Sequence, residues 1–272
     1  MDDETAARLF PPDATFRYGP AEEQRVELFL PEGKGPFPVV AFIYGGCWHS
    51  KFGKLAGARS TFAMLAHAGL GVWGIGYRPL DQGGQYPGIY DDIEAASNLL
   101  AKNARRYHLD MSRVVLAGHS AGAELAEWAA GQKNIPARSV LAKKSKVRFK
   151  ALVSINGPGD LAPIAKLADQ VCGAGTFAML TGPVSAARPD PLADTSPVQL
   201  LPLGIPIYLI SAANDHVVPT PLVEAYAEAA RKAGDHVTLT IIPNASHVDP
   251  VEPQNKAFET TLDVLVKAVN GR

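Results

Sequence analysis

Short apolar runs bounded by turn residues recur along this chain of 272 residues. Runs of this length with few polar residues are typical of strands buried on both faces of a parallel sheet. They lie at residues 39–44, 71–77, 113–117, 151–155, 207–211 and 237–242. Two earlier segments, residues 16–18 and 26–30, alternate polar and apolar residues and predict an antiparallel, more exposed pair.

Longer segments of helical periodicity fill the gaps between these strands. They lie at residues 60–67, 89–107, 121–131, 221–233 and 255–269. The alternation of strand and helix predicts an α/β fold with a mostly parallel central sheet flanked by helices. There is no internal repeat and no long linker, so we expect one domain spanning residues 1–272.

Residues 157–203 interrupt this alternation, because they are rich in Pro, Gly and Ala and only weakly periodic. Long irregular segments inside a compact domain are usually functional lids or binding elements. We therefore predict that this segment is a small cap insertion lying over the ends of the strands.

The balance of charge limits the kinds of partner. The 26 basic and 27 acidic side chains give a formal net charge of −1, without the basic excess of a nucleic-acid-binding protein. No apolar stretch approaches the roughly 18 residues of a membrane helix. We expect a small-molecule substrate as partner, neither nucleic acid nor membrane, and leave a homodimer open.

The cysteines and the first residues bear on the cellular compartment. Cys47 and Cys172 are too few for a disulfide framework or a four-cysteine zinc site. The acidic start of the chain lacks the apolar core of a secretory signal. We expect a cytoplasmic protein; the alternative is a mature exported form from which a signal has been removed.

The sequence Gly-His-Ser-Ala-Gly at residues 118–122 stands between a predicted strand and a predicted helix. This is the G-x-S-x-G pattern in the strand–turn–helix context where it forms a nucleophile elbow. The helix N-terminus behind Ser120 offers free N–H groups to developing negative charge. Ser120 is the predicted nucleophile, with a chance match in a glycine-rich chain as the alternative. We expect His119 to pack beside the site.

A serine hydroxyl becomes a strong nucleophile when a base takes its proton and an acid orients that base. Asp215 and His247 each follow a predicted strand directly, in the order Ser, acid, His that accompanies this motif. Asp160, which follows an earlier strand, is the alternative acid. The remaining histidines are interpreted as surface or packing residues: His49, His67, His108, His216 and His236.

A second glycine motif, Tyr-Gly-Gly-Cys-Trp at residues 44–48, ends another predicted strand. Such a turn lets backbone N–H groups point at a substrate oxygen. The chain resembles a known family in this motif and in those that follow it: GYRP at residues 76–79, then YP and DD, GHSAG, and the late Asp and His. That family is the α/β-hydrolases of the kynurenine formamidase and hormone-sensitive-lipase-like esterase type, and the motifs occur in family order from about residue 38 to residue 247.

The resemblance implies an α/β-hydrolase fold and a serine hydrolase that cleaves a carboxylic ester or an aryl formamide through an acyl-enzyme. No metal or organic cofactor is implied. The family's oxyanion hole maps onto the backbone N–H groups of Gly46, Cys47 and Ala121.

This chain departs from the family motif at one position, because the family begins the motif with His and this chain has Tyr44. Trp48 matches the tryptophan of the HGGxW pattern. No dedicated base for Cys47 is evident in its motif, so we do not interpret it as a nucleophile.

Aromatic residues near these motifs are the candidates for contacting substrate, with core packing as the alternative for each. They are Tyr44, Trp48, Tyr86 and Phe177. Two other functions stay open: an arylformamidase of the kynurenine formamidase type, and a non-catalytic ligand-binding protein on the same fold.

Overall fold

An eight-stranded sheet carries the fold in the computed structural model, which describes residue 5, residues 8–143 and residues 145–271. The sheet order is β1-β2-β4-β3-β5-β6-β7-β8. Strand β2 pairs antiparallel with β1 and β4, and all other pairs are parallel. The strands are β1 Ala14–Arg17, β2 Arg25–Phe29, β3 Phe37–Ile43, β4 Gly71–Ile75, β5 Leu109–His119, β6 Ala151–Ile155, β7 Ile207–Ala212 and β8 Val237–Ile242.

The central strands are buried along their whole apolar length, which is why their sequences read as continuous apolar runs. Every residue of β4 and of β6 is buried, and so are residues 39–43 of β3. Helices cover both faces of a parallel sheet, so a polar side chain on either face of these strands would be buried against a helix. The predicted parallel strands and the antiparallel pairing of β1 with β2 are confirmed. The expected exposure holds for β1 only, because residues 26–29 of β2 are buried between β1 and β4 in the sheet.

Seven helices flank or overlie the sheet in the described part of the chain: α1 Arg59–His67, α2 Gly88–Asn103, α3 Ala121–Ala130, α4 Leu161–Val171, α5 Thr176–Thr181, α6 Thr220–Ala233 and α7 Ala257–Asn270. The second predicted helix is too long, because the chain turns after Asn103 and His108 takes a left-handed φ of 52°. Within the described residues, no helix combines the length and apolar character needed to cross a bilayer.

The segment at residues 157–203 contains two of these helices, although its sequence reads as weakly periodic. In α4, Ile164, Leu167, Ala168 and Val171 lie at the i, i+3, i+4, i+7 spacing of one helix face. Asp160 begins α4 as its N-cap, accepting a hydrogen bond from the Ala162 N–H at 3.0 Å. That this segment acts as a cap stays a prediction.

Cys47 and Cys172 form a disulfide across a sequence separation of 125 residues. It joins the loop that follows β3 to the residue that ends α4. The count of two cysteines excluded a framework of several bridges but did not predict this single pairing. The bridge fastens α4 to a loop that leaves the central sheet.

We expect the Cys47→Ser, Cys172→Ser double variant to lose about 2–4 kcal/mol of unfolding free energy, because the disulfide restricts a long loop of the unfolded chain. Urea unfolding followed by circular dichroism measures the loss. The parent protein under reducing conditions should lose a similar amount. A variant within about 0.5 kcal/mol of the oxidised parent would contradict the expectation.

Candidate active site

Ser120 occupies a sharp turn between the end of β5 and the start of α3, with φ 55° and ψ −122°. The glycines on either side make this turn sterically possible. A Cβ on Gly118 would collide with the carbonyl oxygen of Gly122, and a Cβ on Gly122 would collide with the carbonyl oxygens of Ile43 and Tyr44. The G-x-S-x-G spacing therefore follows from the closeness of β3, β5 and α3.

The three residues predicted as a triad meet at the carboxyl ends of the strands. His247 Nε2 lies 2.8 Å from Ser120 Oγ, and His247 Nδ1 lies 2.6 Å from Asp215 Oδ2. Because an ionised carboxylate only accepts, Nδ1 carries the proton and Nε2 is free to accept the serine proton. The other carboxylate oxygen accepts the N–H groups of Val217 and Val218, both at 2.8 Å, which fixes the direction of the acid.

The backbone of His247 is held by two side chains. His119 Nε2 donates to the His247 carbonyl oxygen at 2.9 Å, and Asn156 Nδ2 donates to the same oxygen at 2.7 Å. Burial, followed by the neighbouring His247, lowers the pKa of His119 to about 3, so its ring is neutral near pH 7. His119 thus packs beside the site as the sequence predicts, whereas Asn156 was not considered. The sequence signal for Asn156 was its position directly after strand β6.

The glycine loop after β3 and the start of α3 present unpaired backbone donors. The N–H groups of Gly46, Cys47 and Ala121 donate to no other residue that the structure describes. Cys47 and Ala121 line the same cleft as Ser120, whereas Gly46 is set one residue further back in the loop. Two of the three predicted oxyanion donors therefore border the nucleophile's cleft directly.

The cleft that holds Ser120 is small, with a cavity volume of about 30 Å³, and it opens to solvent. Its lining includes the apolar face of α4, Trp48 and both cysteines of the disulfide. No described residue that lines it carries a charge: Cys47, Trp48, Ser120, Ala121, Pro158, Ile164, Leu167, Ala168, Val171, Cys172, Val217 and Val218. A charged group in this cleft would lose hydration without gaining a partner.

Of the four aromatic residues predicted to contact substrate, Trp48 alone lines this cleft. Tyr44 turns away from it into the core, where its ring stacks on Tyr77 with centroids 4.6 Å apart. Its hydroxyl lies 3.5 Å from the carboxylate of Glu23. Tyr44 therefore fills a core position at the root of the glycine loop.

Tyr86 and Phe177 also lie outside the residues that line the cleft. The Tyr86 hydroxyl donates to Asp194 at 3.3 Å, and the Arg188 guanidinium sits 4.1 Å from the centre of its ring. Phe177 is half-buried and packs against the core. A hydrogen bond and a cation–π contact at Tyr86, and core packing at Phe177, account for these aromatic rings. That the two residues contact substrate stays a prediction that their positions do not support.

Asp160 and His49 have partners outside the Ser120 site. Besides capping α4, the Asp160 carboxylate accepts the Ser196 hydroxyl at 3.2 Å. His49 Nε2 lies 2.9 Å from Thr176 Oγ1, and His216 is exposed. No group of three or more His, Cys, Asp or Glu among the described residues is arranged to hold a metal ion.

Sequence reasoning missed two fully buried glutamates on α3. Glu127 accepts the Ser154 hydroxyl at 2.6 Å and the Gly159 N–H at 3.0 Å, and Glu124 accepts the indole N–H of Trp48 at 3.1 Å. Burial raises the pKa of Glu127 to about 8 and that of Glu124 well above its ordinary value. The sequence signal for these glutamates was that the other residues of α3 are small or apolar, so the helix has no polar face on which the carboxyls could lie.

The chain matches the BD-FAE family over residues 26–229, a range that includes Ser120 and Asp215 and ends before His247. A protein of Oryza sativa subsp. japonica named "Probable isoprenylcysteine alpha-carbonyl methylesterase ICMEL1" is 30% identical over 252 residues, covering 85% of this chain and 56% of that protein. The chain spans about half the length of the curated relatives it matches.

Solved structures share the architecture. Esterase B from Lactobacillus Rhamnosis (HN001) superposes with a TM-score of 0.78 at 22% identity, covering 98% of this chain and 89% of that chain. The bifunctional GH43-CE of Bacteroides eggerthii gives a TM-score of 0.74 at 24% identity, covering 94% of this chain and 35% of that one. At these identities the likeness concerns the fold, and the α/β-hydrolase fold expected from the sequence is confirmed.

The buried Glu127 gives the stability of the protein a defined pH dependence. The folded state keeps its proton up to about pH 8, whereas an unfolded glutamate loses it near its ordinary pKa of 4.5. The folded state therefore binds more protons in this window, and stability falls as pH rises through it, by at most about 1.4 kcal/mol per pH unit.

We expect Glu127→Gln to flatten that decline, measured by urea unfolding at about pH 5 and about pH 8. Glu228→Gln, which changes an exposed glutamate, is the matched control and should keep the parent slope. A Glu127→Gln slope equal to that of the parent would show that this carboxyl does not hold its proton in the fold.

Proposed function

The chain belongs to the BD-FAE family, and from that membership and the geometry around Ser120 we propose that it is a carboxylic ester hydrolase acting through an acyl-enzyme. One observation carries the proposal: an unbroken chain of hydrogen bonds runs from Ser120 Oγ through His247 to Asp215, with lengths of 2.8 and 2.6 Å. These three residues come from separate loops, and this arrangement activates a serine hydroxyl.

In the first step, Ser120 Oγ attacks the ester carbonyl carbon while His247 Nε2 takes the hydroxyl proton. The imidazolium that forms is stabilised by the Asp215 carboxylate on its other side. His247 then donates the proton to the leaving alcohol oxygen, the carbon–oxygen bond breaks and the acyl group remains on Ser120.

The negative charge on the carbonyl oxygen is met by the unpaired N–H groups of Gly46, Cys47 and Ala121. Each such donor contributes on the order of 2.7–4 kcal/mol to the transition state in serine hydrolases. Water then attacks the acyl-enzyme, with His247 as the base, and the carboxylic acid leaves Ser120 in its starting state.

The uncharged cleft supports a substrate whose acyl portion is neutral and apolar. The curated relatives carry the name isoprenylcysteine alpha-carbonyl methylesterase, so an S-alkyl cysteine methyl ester belongs among the substrates to be assayed. Arylformamide hydrolysis is a second candidate, favoured by the position of Trp48 beside Ser120 in the cleft.

We expect Ser120→Ala to lower kcat on p-nitrophenyl butyrate by at least about 10⁴-fold, since the nucleophile is lost. The decisive comparison is between two aspartates. Asp215→Asn should lower kcat by about 10³–10⁴-fold because the imidazole loses its orienting carboxylate.

Asp160→Asn is the matched control, because asparagine caps a helix as well as aspartate and Asp160 does not contact His247. It should stay within a few-fold of the parent. Equal losses in both aspartate variants, or a Ser120→Ala variant close to the parent, would refute the proposed mechanism.

A substrate panel tests the chemistry of the cleft. We expect kcat/KM for neutral acyl esters such as the butyrate to exceed that for the anionic hemisuccinate ester by more than about 10-fold, because the anion is desolvated without a partner. N-formylanilines and the S-alkyl cysteine methyl ester complete the panel. A preference for the anionic ester would contradict the proposed substrate class.

A further inference from the structure

The loop that carries two of the proposed oxyanion donors has an unusual backbone. Gly46, Cys47 and Trp48 have consecutive φ angles of 131°, 52° and 57°. Left-handed backbone costs a residue with a side chain roughly 1–2 kcal/mol, and here two such residues in a row adopt it. Contacts elsewhere must therefore hold this conformation in the folded protein.

The side chains of those two residues anchor the loop on opposite sides. Cys47 is bonded through its disulfide to Cys172 at the end of α4. Trp48 is 4% exposed, and its indole N–H donates to Glu124 Oε2 at 3.1 Å. The Trp48 ring is thus fixed between the cleft and the first turns of α3.

Glu124 is placed to relate this loop to the nucleophile. It lies one helical turn after Ser120, and its own N–H donates to the Ser120 carbonyl oxygen at 3.1 Å. The same first turn contains Ala121, the third proposed oxyanion donor. One buried hydrogen bond therefore joins the part of the oxyanion hole on the loop to the part on α3.

The carboxyl of Glu124 is isolated from water and from cations. It is fully buried, and its Oε1 has no hydrogen-bond partner among the described residues. Burial raises its pKa well above the ordinary value, which favours the protonated, neutral form of this acceptor. Glutamine at this position supplies the same carbonyl acceptor, and leucine of similar size supplies none.

We propose that Glu124 is a positioning residue for ester hydrolysis: through its hydrogen bond to Trp48, it holds the Gly46–Cys47 loop in register with Ala121 around the oxyanion. This inference rests on the proposed function. Glu124 contacts no reacting atom in this scheme, and its effect reaches the substrate through the loop backbone.

The test compares Glu124→Leu, Glu124→Gln and Trp48→Phe with the parent, using p-nitrophenyl butyrate and the folded fraction measured by circular dichroism. Glu124→Leu and Trp48→Phe should each lower kcat per folded enzyme by about 10- to 100-fold with KM within about three-fold, since the loss falls on the transition state. Glu124→Gln should stay within about three-fold of the parent at every pH. The double variant Glu124→Leu, Trp48→Phe should be no slower than the slower single variant.

A boronic acid inhibitor, whose tetrahedral adduct places an oxygen in the oxyanion hole, adds a second readout. Its affinity should fall with kcat in Glu124→Leu and Trp48→Phe and persist in Glu124→Gln. A purely structural role would lower the folded fraction and leave kcat per folded enzyme unchanged, which would overturn the inference. A Glu124→Gln variant as slow as Glu124→Leu would also overturn the inference. If Glu124→Leu does not fold, a Trp48→Phe variant with the kcat of the parent would overturn it. A folded parent without activity on any ester would instead overturn the proposed function, and this inference with it.

Discussion

The left-handed turn at Ser120 is the constraint on which the rest of the site depends. The residue with φ 55° between β5 and α3 lines the cleft, and it can do so only where the neighbouring backbones come close together. That approach requires Gly118 and Gly122, whose missing side chains leave room for carbonyl oxygens of α3 and β3. The same approach places the start of α3 beside the loop that leaves β3, so Ser120, Cys47 and Ala121 share one cleft.

Buried polar contacts then fix the groups around this turn. Two side chains donate to the His247 carbonyl, two N–H groups donate to the Asp215 carboxylate, and the buried Glu124 carboxyl accepts from the indole of Trp48. Each of these contacts satisfies a polar group away from water, where an unpaired donor or acceptor would be costly. The cleft itself is left uncharged, so its polar chemistry is concentrated at Ser120 and at the backbone donors.

The sheet and the meeting of Ser120, Asp215 and His247 were predictable because their signals are local. A buried parallel strand is a short apolar run, and residues that follow such runs gather at one edge of the sheet. Ser120, Asp215 and His247 were found in this way. The Cys47–Cys172 disulfide was not, because pairing across 125 residues has no local signature. Helix α4 was missed because Pro, Gly and Ala around it obscured a regular apolar spacing. Tyr44, Tyr86 and Phe177 lie outside the lining of the Ser120 cleft, which the sequence could not show because aromatic rings fill cores and substrate pockets alike.

The central claim is that Ser120 is an activated nucleophile, and reaction with a fluorophosphonate tests it most directly. The probe modifies a serine only when a neighbouring base and oxyanion donors raise its reactivity. Intact mass followed by peptide mapping should give one phosphonyl group per chain, located on Ser120. A chain that stays unmodified under conditions that label an ordinary serine esterase, or one modified at a different residue, would contradict this account.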